Sequence, residues 1–240
     1  MSAPTQVSQS IALNPVPAAA FRPAPRVQQN LLAAAEKRLL VWIAERLPRW
    51  VNSDHLTVLG TAAMALAGFC YALASWAPSA LLAANFFLAV NWFGDSLDGT
   101  LARVRNRQRP RYGFYVDHVA DAFGTAALLG GLALSGYMHP AIAAALLVAW
   151  LLLFVEVCLA TYCVGSFRMS FWRLGPTELR ILLAVGNFAL LWRPHVRWFG
   201  FDWPLYDVAG AIGAVGLLVT AILSAARNTR RLYREETLRS

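Results

Sequence analysis

Residues 80–121 read ALLAANFFLAVNWFGDSLDGTLARVRNRQRPRYGFYVDHVAD, two apolar runs joined by a basic loop. Four aspartates lie in these runs, at Asp95, Asp98, Asp117 and Asp121. An ionised carboxylate at the centre of a membrane-spanning helix costs about 2.5–3.5 kcal/mol on insertion scales. Because acids that persist in such surroundings usually serve a function, this stretch predicts both a membrane fold and a functional site.

The composition agrees with a chain embedded in lipid. Hydrophobic residues make up 58% of the 240 residues and charged residues only 14%, whereas soluble domains are about 25% charged. Six apolar segments are long enough to cross a bilayer, and they lie near residues 55–76, 79–103, 112–136, 139–164, 177–193 and 204–226. We therefore expect an all-α integral membrane protein built as a bundle of six transmembrane helices.

The segment before the first span divides into two parts. Residues 1–26 are rich in Ala, Pro, Ser and Gln, which predicts a disordered cytoplasmic tail. From residue 30 to 50, leucines alternate with charged residues, as in an amphipathic helix at a membrane interface; a coil-like partner helix would show the same pattern. We assign the amphipathic juxtamembrane helix to 27–53 and a six-helix catalytic domain, with a short basic cytoplasmic end, to 54–240.

The basic residues indicate how the chain is oriented. The formal net charge is +8, and the lysines and arginines other than Arg193 and Arg197 lie before the first span, in alternate linkers or after the last span. The positive-inside tendency therefore predicts that both termini are cytoplasmic. Because the charge is not accompanied by an RNA-binding or zinc-finger motif, we expect no nucleic-acid partner.

The spacing of the aspartates indicates what the site binds. Asp95 and Asp98 are three positions apart, and Asp117 and Asp121 are four apart, so each pair lies on one helix face. The short loop between the helices brings the pairs together near the inner membrane surface. Carboxylates without an associated His or Cys favour Mg²⁺ or Mn²⁺ over zinc, and two such ions can clamp a diphosphate. The interleaved glycines, taken alone, are also typical of close helix packing.

The run from Asp95 to Asp121 resembles the signature of the CDP-alcohol phosphotransferase family. That signature reads D-x-x-D-G-x-x-A-R, about eight residues, then G-x-x-x-D-x-x-x-D. Nine residues fill the long gap here, and a loop can absorb the extra one. Every specified position matches, namely Asp95, Asp98, Gly99, Ala102, Arg103, Gly113, Asp117 and Asp121.

The resemblance implies a fold and roles for the matching residues. Members look like six-helix bundles preceded by an amphipathic helix. The four aspartates would hold two Mg²⁺ or Mn²⁺ ions, with Asp117 and Asp121 catalytic and Asp121 the general base for the acceptor hydroxyl. The residues implied to bind CDP are Asp98, Gly99, Ala102, Arg103, Gly113 and Asp117.

Three further residues are candidate donor or acceptor contacts. Asn52 and Thr57 open the first span in a segment that resembles the family's Pro-Asn-x-x-Thr-like motif, without its proline. Arg180 lies near the start of the fifth span, where Thr177 and Glu178 have ordinary helix-start explanations. Arg180 could bind an acceptor's phosphate or a lipid headgroup, and snorkelling to the interface explains it equally well.

Other polar or small residues have mainly structural interpretations. The arginines of 105–111 suit topology and anionic-lipid attraction, with guidance of an anionic donor as the alternative. Glu156 lies inside the fourth span and needs a partner, for which Arg180, Asn187 or a water are candidates; a neutral interhelical hydrogen bond is expected. The glycines of 210–216 could support close helix contact within one chain or in a homodimer.

The resemblance implies a membrane enzyme of phospholipid biosynthesis. It would move a substituted phosphate, by default phosphatidyl from CDP-diacylglycerol, to an alcohol acceptor with release of CMP. Asp117-His-x-x-Asp121 also resembles choline and ethanolamine phosphotransferases, so a CDP-headgroup donor stays open. An intramembrane prenyltransferase, suggested by Asn91-x-x-x-Asp95, and a divalent-cation transporter are the competing classes. The expected location is a bacterial inner membrane, with the active site facing the cytoplasm.

Overall fold

The computed structural model describes residues 33–165, 175–198 and 200–236. The tail expected over 1–26 and the last four residues lie outside these ranges. The described residues form seven helices and one small hairpin: α1 (Ala33–Arg46), α2 (Ser53–Leu73), α3 (Ala80–Val104), α4 (Pro110–Leu134), α5 (Pro140–Val164), α6 (Pro176–Trp192), β1 (His195–Trp198), β2 (Phe201–Pro204) and α7 (Leu205–Glu235).

Helices α2 to α7 correspond in order to the six predicted apolar segments. The largest difference is α7, which continues nine residues past the predicted end at 226. The extension is polar, so apolar content could not reveal it, and an i,i+4 ion pair between Arg231 and Glu235 (2.7 Å) supports it. The hairpin was not predicted; β1 and β2 pair antiparallel around Gly200, whose φ of 83° requires the left-handed region.

Within the described ranges, four helices have the length and hydropathy of membrane spans, namely α2, α3, α5 and α7. Helix α6 has 17 residues, and α4 carries Asp117 and Asp121, which lower its hydropathy. Large apolar side chains are exposed along these helices, among them Phe69, Phe86 and Val148. Such a surface belongs against lipid, and the protein is an integral membrane protein.

Glycines allow α2 to pack closely against both α3 and α4. A Cβ added to Gly94 of α3 would lie 2.6 Å from the Leu56 carbonyl oxygen and 2.7 Å from the Gly60 nitrogen. A Cβ on Gly131 of α4 would lie only 1.9 Å from the Gly68 carbonyl oxygen. These contacts bring α3 and α4 together across α2, which positions their acidic faces.

A buried polar network joins α2, α3, α6 and α7. Asn187 Oδ1 accepts hydrogen bonds from the hydroxyls of Tyr71 (2.9 Å) and Tyr206 (2.6 Å). Its Nδ2 donates to Asn85 Oδ1 at 2.7 Å. Because the groups are neutral and each finds a partner, the network fixes four helices in the core at little electrostatic cost.

Helix α1 packs beside the second half of α3. Leu40 and Ala44 are buried against Leu97 and Leu101. Beyond the end of α1, the Arg105 guanidinium donates to the carbonyl oxygens of Leu47 (2.8 Å), Pro48 (3.0 Å) and Val51 (2.5 Å). These contacts hold the linker between α1 and α2 against the end of α3.

Two arginines of the basic loop therefore have protein partners, which the sequence did not reveal. Besides Arg105, Arg109 forms an ion pair with Asp54 in the first turn of α2. The Asp54 carboxylate raises the pKa of the Arg109 guanidinium through this hydrogen bond. Their contribution to topology or donor guidance stays a prediction.

Candidate active site

Three of the four aspartates converge where α3 and α4 approach each other beside α2. One carboxylate oxygen from each of Asp95, Asp117 and Asp121 lies within 4.8 Å of the others, and each residue is partly buried. The pairs meet because α3 and α4 both pack against α2, and each aspartate lies six to eleven residues from the helix end that borders the short loop. Asp95 of the first pair is thus brought beside both members of the second pair.

The aspartates line one side of a cleft, and α2 forms the other. Thr57, Gly60, Thr61 and Met64 contribute from α2. The small residues leave space beside the carboxylates, and the threonines add hydroxyls to the wall. The remaining lining comes from α3 and α4: Asn91, Asp95, Asp98, Asp117, Ala120, Asp121 and Gly124.

Asp98 lies in the same cleft, but its carboxylate is oriented towards α2. Its Oδ2 accepts a hydrogen bond from Thr57 Oγ1 at 2.6 Å, and its Oδ1 accepts from the Gly99 backbone N–H. Its backbone carbonyl oxygen accepts from Ser53 Oγ at 2.9 Å. Thr57, expected as a substrate contact, is thus in hydrogen-bond contact with a motif aspartate.

Arg180 reaches from α6 into the acidic cluster. Its Nη2 lies 2.6 Å from Asp95 Oδ2, and its Nε donates to Asn91 Oδ1 at 2.7 Å. The Arg180 side chain is only 12% exposed, so it does not snorkel to the interface. Its cation offsets part of the negative charge that the aspartates bring together.

The donor set of the cluster fits a hard divalent cation. The three converging groups are carboxylates, and no described His or Cys belongs to the cluster. Mg²⁺ and Mn²⁺ prefer such oxygen ligands, whereas zinc sites typically include nitrogen or sulfur. The cluster could therefore bind a metal ion, because a cation would relieve the repulsion among its carboxylates.

The other motif residues lie nearer the ends of α3 and α4 that face the basic loop. A Cβ on Gly113 would meet no atom within 4 Å, and one on Gly99 would make only an ordinary contact with Arg103 Nη1 at 3.4 Å. Helix packing therefore explains Gly94 and Gly131 but not these two. The exposed Arg103 donates to Thr100 Oγ1 at 2.9 Å, and Ala102 is partly buried.

Two other candidates have structural partners away from the cluster. Asn52 is exposed at the start of α2, where its backbone N–H donates to His55 Nδ1 at 3.3 Å. Glu156 accepts from Ser224 Oγ (2.9 Å) and Asn228 Nδ2 (2.7 Å) on α7. The expected interhelical hydrogen bond is present, but the suggested partners Arg180 and Asn187 were wrong.

Two residues near the motif aspartates were not predicted as part of the site, and a third residue was misassigned. Asn91 is buried one helical turn before Asp95; this spacing was the available signal, but it was interpreted only as the suggestion of a prenyltransferase. Ser53, which contacts the Asp98 backbone, carries no comparable signal. Thr177 was expected to cap α6, but its hydroxyl donates instead to Glu36 of α1 at 2.9 Å.

Comparisons with known proteins agree with this geometry. The fold is similar to the crystal structure of Mycobacterium tuberculosis phosphatidylinositol phosphate synthase with CDP-DAG bound, with 21% identity, a TM-score of 0.51, and coverage of 82% of this chain and 92% of that one. A search of curated proteins gave no match. The family model for CDP-alcohol phosphatidyltransferase matches residues 50–222. Because the match includes the whole aspartate motif and most of the chain, the protein belongs to the CDP-alcohol phosphatidyltransferase family.

Proposed function

We propose that the protein transfers a phosphatidyl group from CDP-diacylglycerol to an alcohol acceptor and releases CMP. The observation that carries the proposal is the convergence of Asp95, Asp117 and Asp121 in a membrane protein of this family. The choice of donor draws support from the structural neighbour, whose crystal structure contains CDP-DAG. The reaction is a step of phospholipid biosynthesis.

The four motif aspartates are the proposed metal ligands. Asp95, Asp117 and Asp121 supply the converging oxygens, and Asp98 lines the same cleft. Two bound Mg²⁺ or Mn²⁺ ions would neutralise the charge of the diphosphate during transfer. Thr57 and the Gly99 N–H orient the Asp98 carboxylate through their hydrogen bonds. Because the side chain is already held in place, it would lose less conformational entropy on binding a metal ion.

Asp121 is the proposed general base. Its carboxylate takes the proton of the acceptor hydroxyl as the hydroxyl oxygen forms a bond to the phosphorus that carries diacylglycerol. The bond from that phosphorus to the CMP oxygen breaks, and CMP leaves with the electron pair. Asp117, one turn earlier on α4, faces the same cleft and holds the reacting groups beside Asp121.

The nucleotide is proposed to bind at the loop-facing ends of α3 and α4. Gly99, Ala102 and Gly113 leave room beside the backbone there, and Arg103 supplies an exposed cation for a phosphate. Asp98 and Asp117 complete this group, next to the metals. Arg180 points into the cleft from α6, so it is the proposed contact for an anionic group of the acceptor or donor. Asn52 lies outside the cleft lining, at the start of α2, and its proposed substrate contact is at the rim of the site.

The proposed membrane placement has six spans, with α4 and α6 included. The basic loop between α3 and α4 and the basic end of α7 then face the cytoplasm, as the positive-inside tendency requires. The cleft opens towards that side of a bacterial inner membrane. Homodimer formation is part of the proposal: a Cβ added to Gly216 of α7 would meet no atom within 4 Å, whereas one added to Gly213 would lie 3.3 Å from Leu146 Cδ1 of α5.

The donor assignment is tested by measuring CMP release from purified protein in liposomes with a pool of alcohols and Mg²⁺ or Mn²⁺. CDP-diacylglycerol, CDP-choline and CDP-ethanolamine are supplied separately. We expect CMP only with CDP-diacylglycerol and only with a metal ion, and splitting the pool then identifies the acceptor. CMP release from CDP-choline or CDP-ethanolamine instead would overturn the donor assignment. Absence of CMP release with every donor would contradict the proposed reaction.

A further inference from the structure

One carboxylate connects helix α1 to the two helices that supply Asp95 and Arg180. Glu36 Oε1 accepts hydrogen bonds from Trp92 Nε1 at 2.7 Å and from Ser96 Oγ at 3.3 Å, both on α3. The same oxygen accepts from Thr177 Oγ1, in the first turn of α6, at 2.9 Å. Three donors from two helices thus meet at one partly buried oxygen.

The Glu36 carboxylate is held by more than one kind of contact. Its Oε1 accepts three hydrogen bonds. Thr177 lies at the N-terminus of α6, where the helix dipole attracts an anion. Leu40 and Ala44, one and two turns further along α1, are buried against α3, so the carboxylate is held by packing as well.

A second connection between α3 and α6 lies next to the first along both helices. Asp95 directly precedes Ser96 on α3, and Arg180 lies three residues after Thr177 on α6. Arg180 bridges the helices by pairing with Asp95 and by donating to Asn91. Glu36 therefore joins α3 and α6 next to the point where Arg180 of α6 contacts α3.

We propose that Glu36 is a positioning residue for the transfer reaction: by holding the start of α6 against α3, it sets the placement of Arg180 at Asp95. The inference rests on the proposed transferase function. It assigns α1 a part in that function beyond contact with the membrane. Without Glu36, Trp92, Ser96 and Thr177 lose their shared acceptor, and α6 can shift relative to the acidic cluster.

The test compares kcat for CMP release among Glu36→Ala, Glu36→Gln and Glu45→Ala. Glu45 is an exposed acid on the same helix and provides the matched charge change. We expect Glu36→Ala to lower kcat by about tenfold, because a misplacement of about 1 Å can cost up to about a hundredfold in rate. Glu36→Gln, whose amide oxygen still accepts hydrogen bonds, should stay within about threefold of wild type, and Glu45→Ala should leave kcat unchanged.

The same substitution in an Arg180→Met background distinguishes a positioning role of Glu36 from simple destabilisation of the fold. In Arg180→Met, the group that Glu36 places is gone, so adding Glu36→Ala should change kcat by less than about twofold. Equal losses in both backgrounds would overturn the inference, as would a Glu36→Ala enzyme as active as Glu45→Ala. If Glu36→Ala does not fold, Thr177→Val and Ser96→Ala each remove one donor and should show the same dependence on Arg180. An inactive wild type would instead count against the proposed function itself.

Discussion

Two polar clusters lie within the same helix bundle and are built in opposite ways. Around Asn187, neutral amides and hydroxyls meet as donors and acceptors, including Tyr71 and Tyr206. Around Asp121, carboxylates converge within 4.8 Å, with the Arg180 cation paired to Asp95. The first cluster joins four helices, and the second lines a cleft.

The difference distinguishes residues that stabilise the helix bundle from residues that serve its function. Two like charges about 4 Å apart repel by about 4 kcal/mol at an effective dielectric constant near 20. A typical hydrogen bond contributes only about 1 kcal/mol net. Repulsion among the carboxylates, which Arg180 offsets in part, therefore opposes folding, whereas the Asn187 network supports it. An arrangement that costs stability at a cleft is expected of a functional site. Substitutions in the two clusters should therefore affect different quantities.

The largest expected effect is on catalysis, from Asp121→Asn. Loss of a general base typically costs roughly a hundred- to ten-thousand-fold in rate. Removing one of several like charges should leave the melting temperature unchanged or raise it. CMP release and thermal unfolding in detergent measure the two effects. A large fall in melting temperature would show that Asp121 stabilises the fold and would contradict the contrast between the two clusters.

The next effect is on stability, where two adjacent glycines form a matched pair. Gly131→Ala places a methyl against the Gly68 backbone, whereas a Cβ on Gly130 meets nothing within 4 Å. We expect Gly131→Ala to destabilise by about 1–3 kcal/mol or more through overpacking. Gly130→Ala should stabilise by up to about 1 kcal/mol through helix propensity. Equal melting temperatures for the two variants would contradict the close crossing of α2 and α4.

Asn187→Leu should break the neutral network and leave the chemistry in place. Tyr71 and Tyr206 would lose their buried acceptor, at a cost of about 1–3 kcal/mol in unfolding free energy. The activity per folded molecule should remain close to wild type, because the network lies apart from the residues that line the cleft. Denaturant unfolding gives the first quantity, and CMP release normalised to folded protein gives the second. A selective loss of kcat at unchanged stability would link the two clusters.

The smallest effect is expected from Gly113→Ala. No atom within 4 Å opposes the added methyl, so stability should stay within about 0.5 kcal/mol of wild type. The methyl would instead enter the proposed nucleotide site and raise KM for the donor by about tenfold, or ~1.4 kcal/mol. Donor titrations measure KM, with Gly130→Ala as the control glycine on the same helix. An unchanged KM would remove Gly113 from the nucleotide site.

The sequence predicted those parts of the fold that depend on local pattern. Apolar runs located α2 to α7, and the spacing of Asp117 and Asp121 placed them on one face of α4. Long-range partners were not predictable, because periodicity shows which face a residue occupies but not what lies opposite it. Glu156 clearly needed a partner, yet only the packing of α5 against α7 identified Ser224 and Asn228.

Features without a hydropathy signal were missed for a related reason. The end of α7 is helical but polar, and the hairpin strands have only four residues each. Arg105 could be read only as a basic residue in a loop, since its carbonyl partners come from the linker after α1. The role of Thr177 likewise depends on Glu36, 141 residues earlier.

The central claim is that the converging aspartates bind the divalent cations of the reaction. It is tested most directly by equilibrium Mn²⁺ binding, followed by electron paramagnetic resonance, to wild type, Asp117→Asn and Glu156→Gln. Glu156 is the matched control because it is also an acid within a span, but it has its own partners on α7. We expect saturable binding of two ions by wild type and Glu156→Gln, and weakened binding with fewer ions by Asp117→Asn. Equal Mn²⁺ binding by all three proteins would contradict the claim.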